Sequence, residues 1–179
     1  MRTRRAALRA GLAIFAGGMA SPAFSSVPAV RTLRFDNLHT GEKLSVDYWT
    51  QGAYRPDALS AVNHVLRDYR NGQEHAIDTR LLDLLNLLHR TLESSAPFSV
   101  ISGYRSPATN AAMHRHSAGV AAHSLHMQGM AIDIRLADRG LKDLHAAARS
   151  LRAGGVGFYP AEDFVHVDVG RVRHWGAAG

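Results

Sequence analysis

An α+β fold is predicted by two features of the sequence. The first is a leucine stripe at helical spacing, Ile77 with Leu81, Leu82, Leu84, Leu85, Leu87 and Leu88, wide enough to be the buried face of an amphipathic helix. The second is a set of short segments further on with a period of two, of which 164–169, Phe-Val-His-Val-Asp-Val, is the clearest. Helices grouped ahead of a closing pair of antiparallel strands define this class.

In chain order, short strands are expected at 32–36 and 44–49, joined by turn chemistry at Thr40-Gly41. Helices follow at 57–70 and 78–93. Asp78 is a fitting N-cap for the second, and its leucines read as core rather than as a partner surface. Residues 98–102, Phe-Ser-Val-Ile-Ser, read as a central strand that delivers Gly103-Tyr104-Arg105 into a cleft. Ser106-Pro107 opens a further helix, with serine as cap and proline in the first turn. Residues 116–125 are small and polar, suited to a cleft rim. A strand around Asp133 precedes a helix at 140–152, which ends at Gly154-Gly155. Segments 155–159 and 164–169 then form the last strand pair.

The first 25 residues read as an export signal, leaving one domain at 26–179. Arg2, Arg4, Arg5 and Arg9 precede the short apolar run 10–20, and small residues continue to Ser25. Thr3-Arg4-Arg5 with Leu8 resembles a twin-arginine signal, which implies a periplasmic destination, although Ala7 replaces the usual bulky residue. The apolar run is too short for a comfortable membrane span, and no later stretch is long enough. The leader holds four of the 21 basic residues and no acid, so 17 basic residues face 15 acidic ones in the remainder, a net charge of +2. The high pI therefore gives no support to nucleic-acid binding. There is no cysteine, which excludes disulfides, thiolate metal sites and a lipid-bearing cysteine. A soluble monomer of roughly 150 residues has enough chain for a real core.

The chemistry lies in two blocks, 124–133 (Ser-Leu-His-Met-Gln-Gly-Met-Ala-Ile-Asp) and 163–168 (Asp-Phe-Val-His-Val-Asp). Two imidazoles with one or more carboxylates, each carried by a short apolar segment, make the ligand set of an open zinc site, in which three protein ligands leave a position for water. On a strand, Phe164, His166 and Asp168 share one face and Val165, Val167 and Val169 the other. Ala131 and Asp133 likewise share a face, opposite Ile132 and Ile134. Gly129 lies where a tight turn would let His126 and Asp133 converge. The plainer alternative is a pair of half-buried strands with their polar faces in solvent.

The pattern Ser-x-His-x-x-Gly-x-Ala-x-Asp followed by a strand His resembles the D-Ala-D-Ala metallopeptidases, a group that includes lysostaphin-like and hedgehog-like zinc domains. Four further blocks, 37–42, 101–106, 152–160 and 173–175, make the chain similar to murein endopeptidases of the MepK type from the leader to Trp175. The resemblance implies a small antiparallel sheet flanked by helices with one zinc ion in its groove, and hydrolysis of peptidoglycan stem-peptide cross-links. It also implies His126, Asp133 and His166 as the zinc ligands. Arg105 matches an arginine that holds substrate or its polarised carbonyl, a task suited to a guanidinium. A surface salt bridge is the plainer role for it.

For the general base, the resemblance points three residues before the second ligating His, to Asp163. Asp168 competes, although its place on the His166 face suits it equally to orienting that imidazole. Some relatives add a second His two residues before the base. That position is Ala161 here, and His174 is a possible substitute. His114, His116 and His123 do not form a second metal site on this reading, and His39, His64, His75, His89 and His145 are structural or surface residues. Two other functions stay open: a carboxypeptidase that trims terminal D-alanine, and a zinc-bearing peptidoglycan-binding module without turnover.

Overall fold

A computed structural model describes residues 29–116 and 121–177. The expected leader, 1–25, lies outside these residues, as does the 117–120 part of the expected rim.

One mixed sheet organises the chain. Its eight strands among the described residues are β1 (Val30–Asn37), β2 (Lys43–Thr50), β3 (Ala53–Tyr54), β4 (Phe98–Ser102), β5 (Ala131–Leu136), β6 (Gly155–Tyr159), β7 (Phe164–Asp168) and β8 (Arg173–Gly176). They lie in the order β3-β2-β1-β4-β5-β7-β6-β8. The α+β class is as expected, but the sheet is neither small nor wholly antiparallel: β1 runs parallel to β4, and β6 to β8. The first parallel pair follows from the long helical excursion between β1 and β4, which allows a crossover. The second arises because the chain leaves β7, passes the start of β6 and descends its far side as β8. Two-residue β3 and four-residue β8 are too short to show a period in the sequence.

The helices are α1 (Pro56–Val65), α2 (Thr79–Thr91), α3 (Pro107–His116) and α4 (Leu141–Leu151). In α2 the Asp78 carboxylate accepts from Arg80 N at 2.9 Å, and Leu81, Leu82, Leu84, Leu85 and Leu88 are buried as the stripe predicts, whereas Leu87, read as part of it, is exposed. Ser106 Oγ accepts from Thr109 N at 3.2 Å, capping the turn into α3. α1 stops at Val65 rather than running to residue 70. Asp68 is the cause: its carboxylate accepts from Arg70 N at 3.1 Å and Ser106 N at 2.9 Å, while its carbonyl accepts from Gly72 N at 2.7 Å. This local turn competes with continued helix.

Alternation divides the sheet into a core face and a site face. Leu33, Phe35, Phe98, Val100, Ile132, Ile134, Val156, Phe158, Val165 and Val167 are at most 3 % exposed and pack with α1, α2 and α4. Asp133 and His166 project from the opposite face. The first three strands are tied to α2 by Asp83, whose carboxylate receives Arg31 at 2.6 Å, Tyr48 Oη at 2.9 Å and Tyr54 Oη at 2.7 Å. Tyr48 is fully buried, and its hydroxyl donates to Asp83. The variant Asp83→Ala is expected to lose about 1–3 kcal/mol of stability, the cost of a stranded buried donor, measured by urea unfolding. A loss below about 0.5 kcal/mol would mean that water satisfies the hydroxyl.

Candidate metal centre

Three pieces of chain bring the predicted ligands together. His126 lies on a 3-10 turn, Leu125–Gln128, whose first turn is capped by Ser124 Oγ accepting from His126 N at 3.4 Å. The turn ends at Gly129 with φ 64°. A side chain there would also lie 2.3 Å from the Ala76 carbonyl oxygen, so the position requires glycine twice over. Asp133 on β5 pairs directly with His166 on β7. A shift in register between Val100 and Ser102 sets Ser102 opposite Asp133, on the site side of the sheet.

His126, Asp133 and His166 are 2 %, 6 % and 8 % exposed, and their ligand atoms lie within 4.8 Å of one another. His126 Nδ1 is 2.7 Å from the Gly103 carbonyl oxygen. A carbonyl can only accept, so Nδ1 carries the hydrogen and Nε2 is bare. His166 Nε2 is 3.2 Å from Asp168 Oδ2, so it donates there and leaves Nδ1 bare. The two bare nitrogens stand 3.2 Å apart. They lie 3.3 Å and 2.9 Å from the same oxygen, Asp133 Oδ1. Three converging acceptors with no hydrogen among them are satisfied by a cation, and two imidazoles with a carboxylate suit a divalent metal.

In the protein alone, protons compete for the same convergence of atoms. Burial pushes His126 below its ordinary pKa, against the pull of Asp133. Burial also opposes charge on His166, but hydrogen bonds to Asp133 and Asp168 outweigh it and raise the pKa. Burial alone would raise Asp133, yet His126 and His166 hold it well below the usual carboxylate range.

Asp168 is fully buried and committed. Besides His166 it accepts from Gly155 N at 2.9 Å, Gly170 N at 2.8 Å and Arg173 NH2 at 2.7 Å. It both orients the second imidazole and fastens the crossing from β7 to β8. Gly154 lets the strands close there, since a side chain would sit 1.8 Å from the Asp168 carbonyl oxygen. Asp163 is not brought to the ligands. It adopts φ 56° at the turn before β7, its side chain is 61 % exposed, and it pairs with Arg135 at 2.5 Å.

The ligands form the floor of a cleft of about 650 Å³. Arg105 is 7 % exposed. Its NH1 and NH2 make long bonds of 3.4 Å to Asn110 Oδ1 and Ser102 Oγ, NH2 lies 3.7 Å from Asp133 Oδ2, and buried Nε has no partner. It is therefore a buried cation with unused donors rather than a surface salt bridge. Burial lowers its pKa against the support of Asp133. Sequence reasoning put Phe164 on the ligand face but did not assign His39, Tyr69, Arg70, Tyr159, Glu162 and Trp175 to the wall, which His123 also lines. Strand alternation gives Trp175 to the cleft. Its neighbour His174 is exposed and is not among the residues that line the cleft.

The family described as peptidoglycan L,D-endopeptidase MepK matches residues 25–175. The chain belongs to that family. Among curated relatives, the peptidoglycan L,D-endopeptidase MepK of Escherichia coli (strain K12) is 41 % identical over 167 residues, 92 % of each chain. A probable peptidoglycan L,D-endopeptidase MepK of Haemophilus influenzae is 42 % identical over 154 residues, covering 86 % of this chain and 83 % of its own. Family membership and three converging acceptors point independently to a metal-dependent hydrolase.

If Asp168 sets the His166 tautomer, Asp168→Asn should weaken metal binding about 10–100-fold. Competition titration against a chromogenic chelator measures this, with circular dichroism to verify the fold. Unchanged affinity in a folded variant would leave Asp168 only the strand crossing.

Proposed function

We propose that this chain is a zinc-dependent endopeptidase that hydrolyses an L,D amide in the stem-peptide cross-links of peptidoglycan. The observation that carries this reading is the trio of bare acceptors on His126, Asp133 and His166 beside the under-paired guanidinium of Arg105, in a chain of this family. A zinc ion held by the trio would polarise the scissile carbonyl and acidify a water.

The chain's own residues supply the rest. Gly103 and Asp168 each accept from one ring nitrogen of an imidazole, which turns the other nitrogen towards the trio. Arg105 lines the cleft as a buried, under-paired guanidinium, and such a donor set stabilises a carbonyl oxygen that gains negative charge. Its long contacts to Ser102 and Asn110 leave room for that oxygen to take over as acceptor. Tyr159, Phe164 and Trp175 offer aromatic surface to the hydrocarbon parts of the peptide. Proton transfer is assigned to Glu162, which lines the wall, rather than to its neighbour Asp163, which pairs with Arg135 outside the cleft. Asp168 is set aside as base because its oxygens already serve four donors.

Digestion of purified cross-linked muropeptide dimers, read by mass spectrometry, tests the reading. Zinc-loaded protein is expected to release monomers, chelation to stop release, and added zinc to restore it. His166→Ala should abolish cleavage, and Arg105→Ala should lower kcat/KM by about 10²-fold while keeping its zinc. Loss of D-alanine alone would make the enzyme a carboxypeptidase. Intact dimers beside stoichiometric zinc would make it a binding module.

The leader extends the proposal to export into the periplasm by the twin-arginine route, which carries folded proteins. Replacing Arg4 and Arg5 by lysine is expected to stop processed protein from accumulating in the periplasm. Undiminished accumulation would assign the leader to general secretion instead.

A further inference from the structure

Three arginines line the cleft, and their partners differ. Arg173 is engaged by Asp168 at 2.7 Å. Arg105 lies beside Asp133. Arg70, also in the lining, has no carboxylate partner among the described residues. Its guanidinium instead lies over the Tyr69 ring, 4.2 Å from the centroid, and Tyr69 stacks on His39 with centroids 3.8 Å apart. Stacking restricts a planar guanidinium without using its N–H donors. Arg70 is thus a braced cation with a free hydrogen-bonding edge.

Its placement relative to Arg105 is built in. One oxygen of buried Asp68 accepts from Arg70 N at 3.1 Å, and the other accepts from Ser106 N, next to Arg105, at 2.9 Å. Asn71 Nδ2 donates to Ser106 Oγ at 2.8 Å, closing the same bracket. A single carboxylate therefore sets the spacing of two cations on one wall. Two like charges held together beside a ligand trio with little net charge favour an anionic group on the ligand.

We propose that Arg70, braced on Tyr69, binds a free carboxylate that flanks the amide to be cut, so that the cleft selects cross-linked peptides carrying an anion at that point. The inference rests on the proposed endopeptidase function, with Arg105 serving the scissile carbonyl and Arg70 the neighbouring carboxylate. Charge and planarity both matter, because a fork of N–H donors matches the two oxygens of a carboxylate.

The test uses paired muropeptide dimers identical except that the carboxylate beside the cross-link is free in one and amidated in the other. Binding to metal-depleted protein, where nothing is turned over, is measured by calorimetry, and cleavage by the zinc-loaded enzyme is measured separately. Wild type is expected to bind the amidated dimer about tenfold more weakly, with the cleavage penalty in KM rather than kcat. Arg70→Gln should bind the free-acid dimer as weakly as wild type binds the amide, and should not distinguish the two. Arg70→Lys, which keeps the charge but loses the fork, should recover part of the preference. Equal binding of both dimers by wild type would overturn the proposal, as would an undiminished preference in Arg70→Gln. The binding preference stands or falls without turnover, so failure to cleave either dimer would count against the endopeptidase reading alone.

Discussion

The register of β5 against β7 is the constraint on which the site depends. It sets Asp133 directly opposite His166 and, on the other face, Ile132 against Val167 and Ile134 against Val165. A slip of one residue would turn one of the two ligands into the core and bring aliphatic residues of its strand into the cleft. Burial of the aliphatic face therefore specifies the ligand geometry, and core and site share one pairing. Only His126 comes from outside this pair, and its turn is held by the glycine that ends it and by the Gly103 carbonyl.

A second tier of contacts decides what the three side chains can do. Ligand identity alone leaves the imidazole hydrogens free to point either way. The carbonyl of Gly103 and the carboxylate of Asp168 remove that freedom, and each belongs to a segment with another structural task. Gly103 follows β4 and packs so closely that a side chain there would sit 2.4 Å from the Leu66 carbonyl oxygen. Asp68 plays the matching part on the cleft wall, where it ends α1 and joins the turn after it to the segment bearing Arg105. Buried carboxylates thus serve here as brackets, satisfied on every side, rather than as proton carriers.

Much of this was legible in the sequence, because period-two segments and the leucine stripe report burial directly. The strands carrying Asp133 and His166 and the caps at Asp78 and Ser106 are local features with local signals. The long-range features left no such trace. Parallel pairing of β1 with β4, and of β6 with β8, depends on where an excursion returns. The early end of α1 depends on Asp68 meeting Ser106, 38 residues away. The two acids near His166 had similar claims by spacing and were separated only by their surroundings: one is fully enclosed by donors, the other stands in solvent on Arg135. His39 read as a surface residue, since nothing in its own neighbourhood shows that Tyr69 folds against it.

The clamp around Asp168 also has a meaning for biosynthesis. Its donors include Gly170 and Arg173, so the second imidazole acquires its orientation from chain lying beyond both ligand blocks. A nascent polypeptide that has emerged only as far as His166 holds all three metal-binding side chains but lacks the lock on one of them. Completion of the site is therefore tied to β8, which follows both ligand blocks in the chain. In an enzyme that cuts covalent cross-links in a load-bearing wall, the metal-binding trio and its lock are thus separate stages of chain growth.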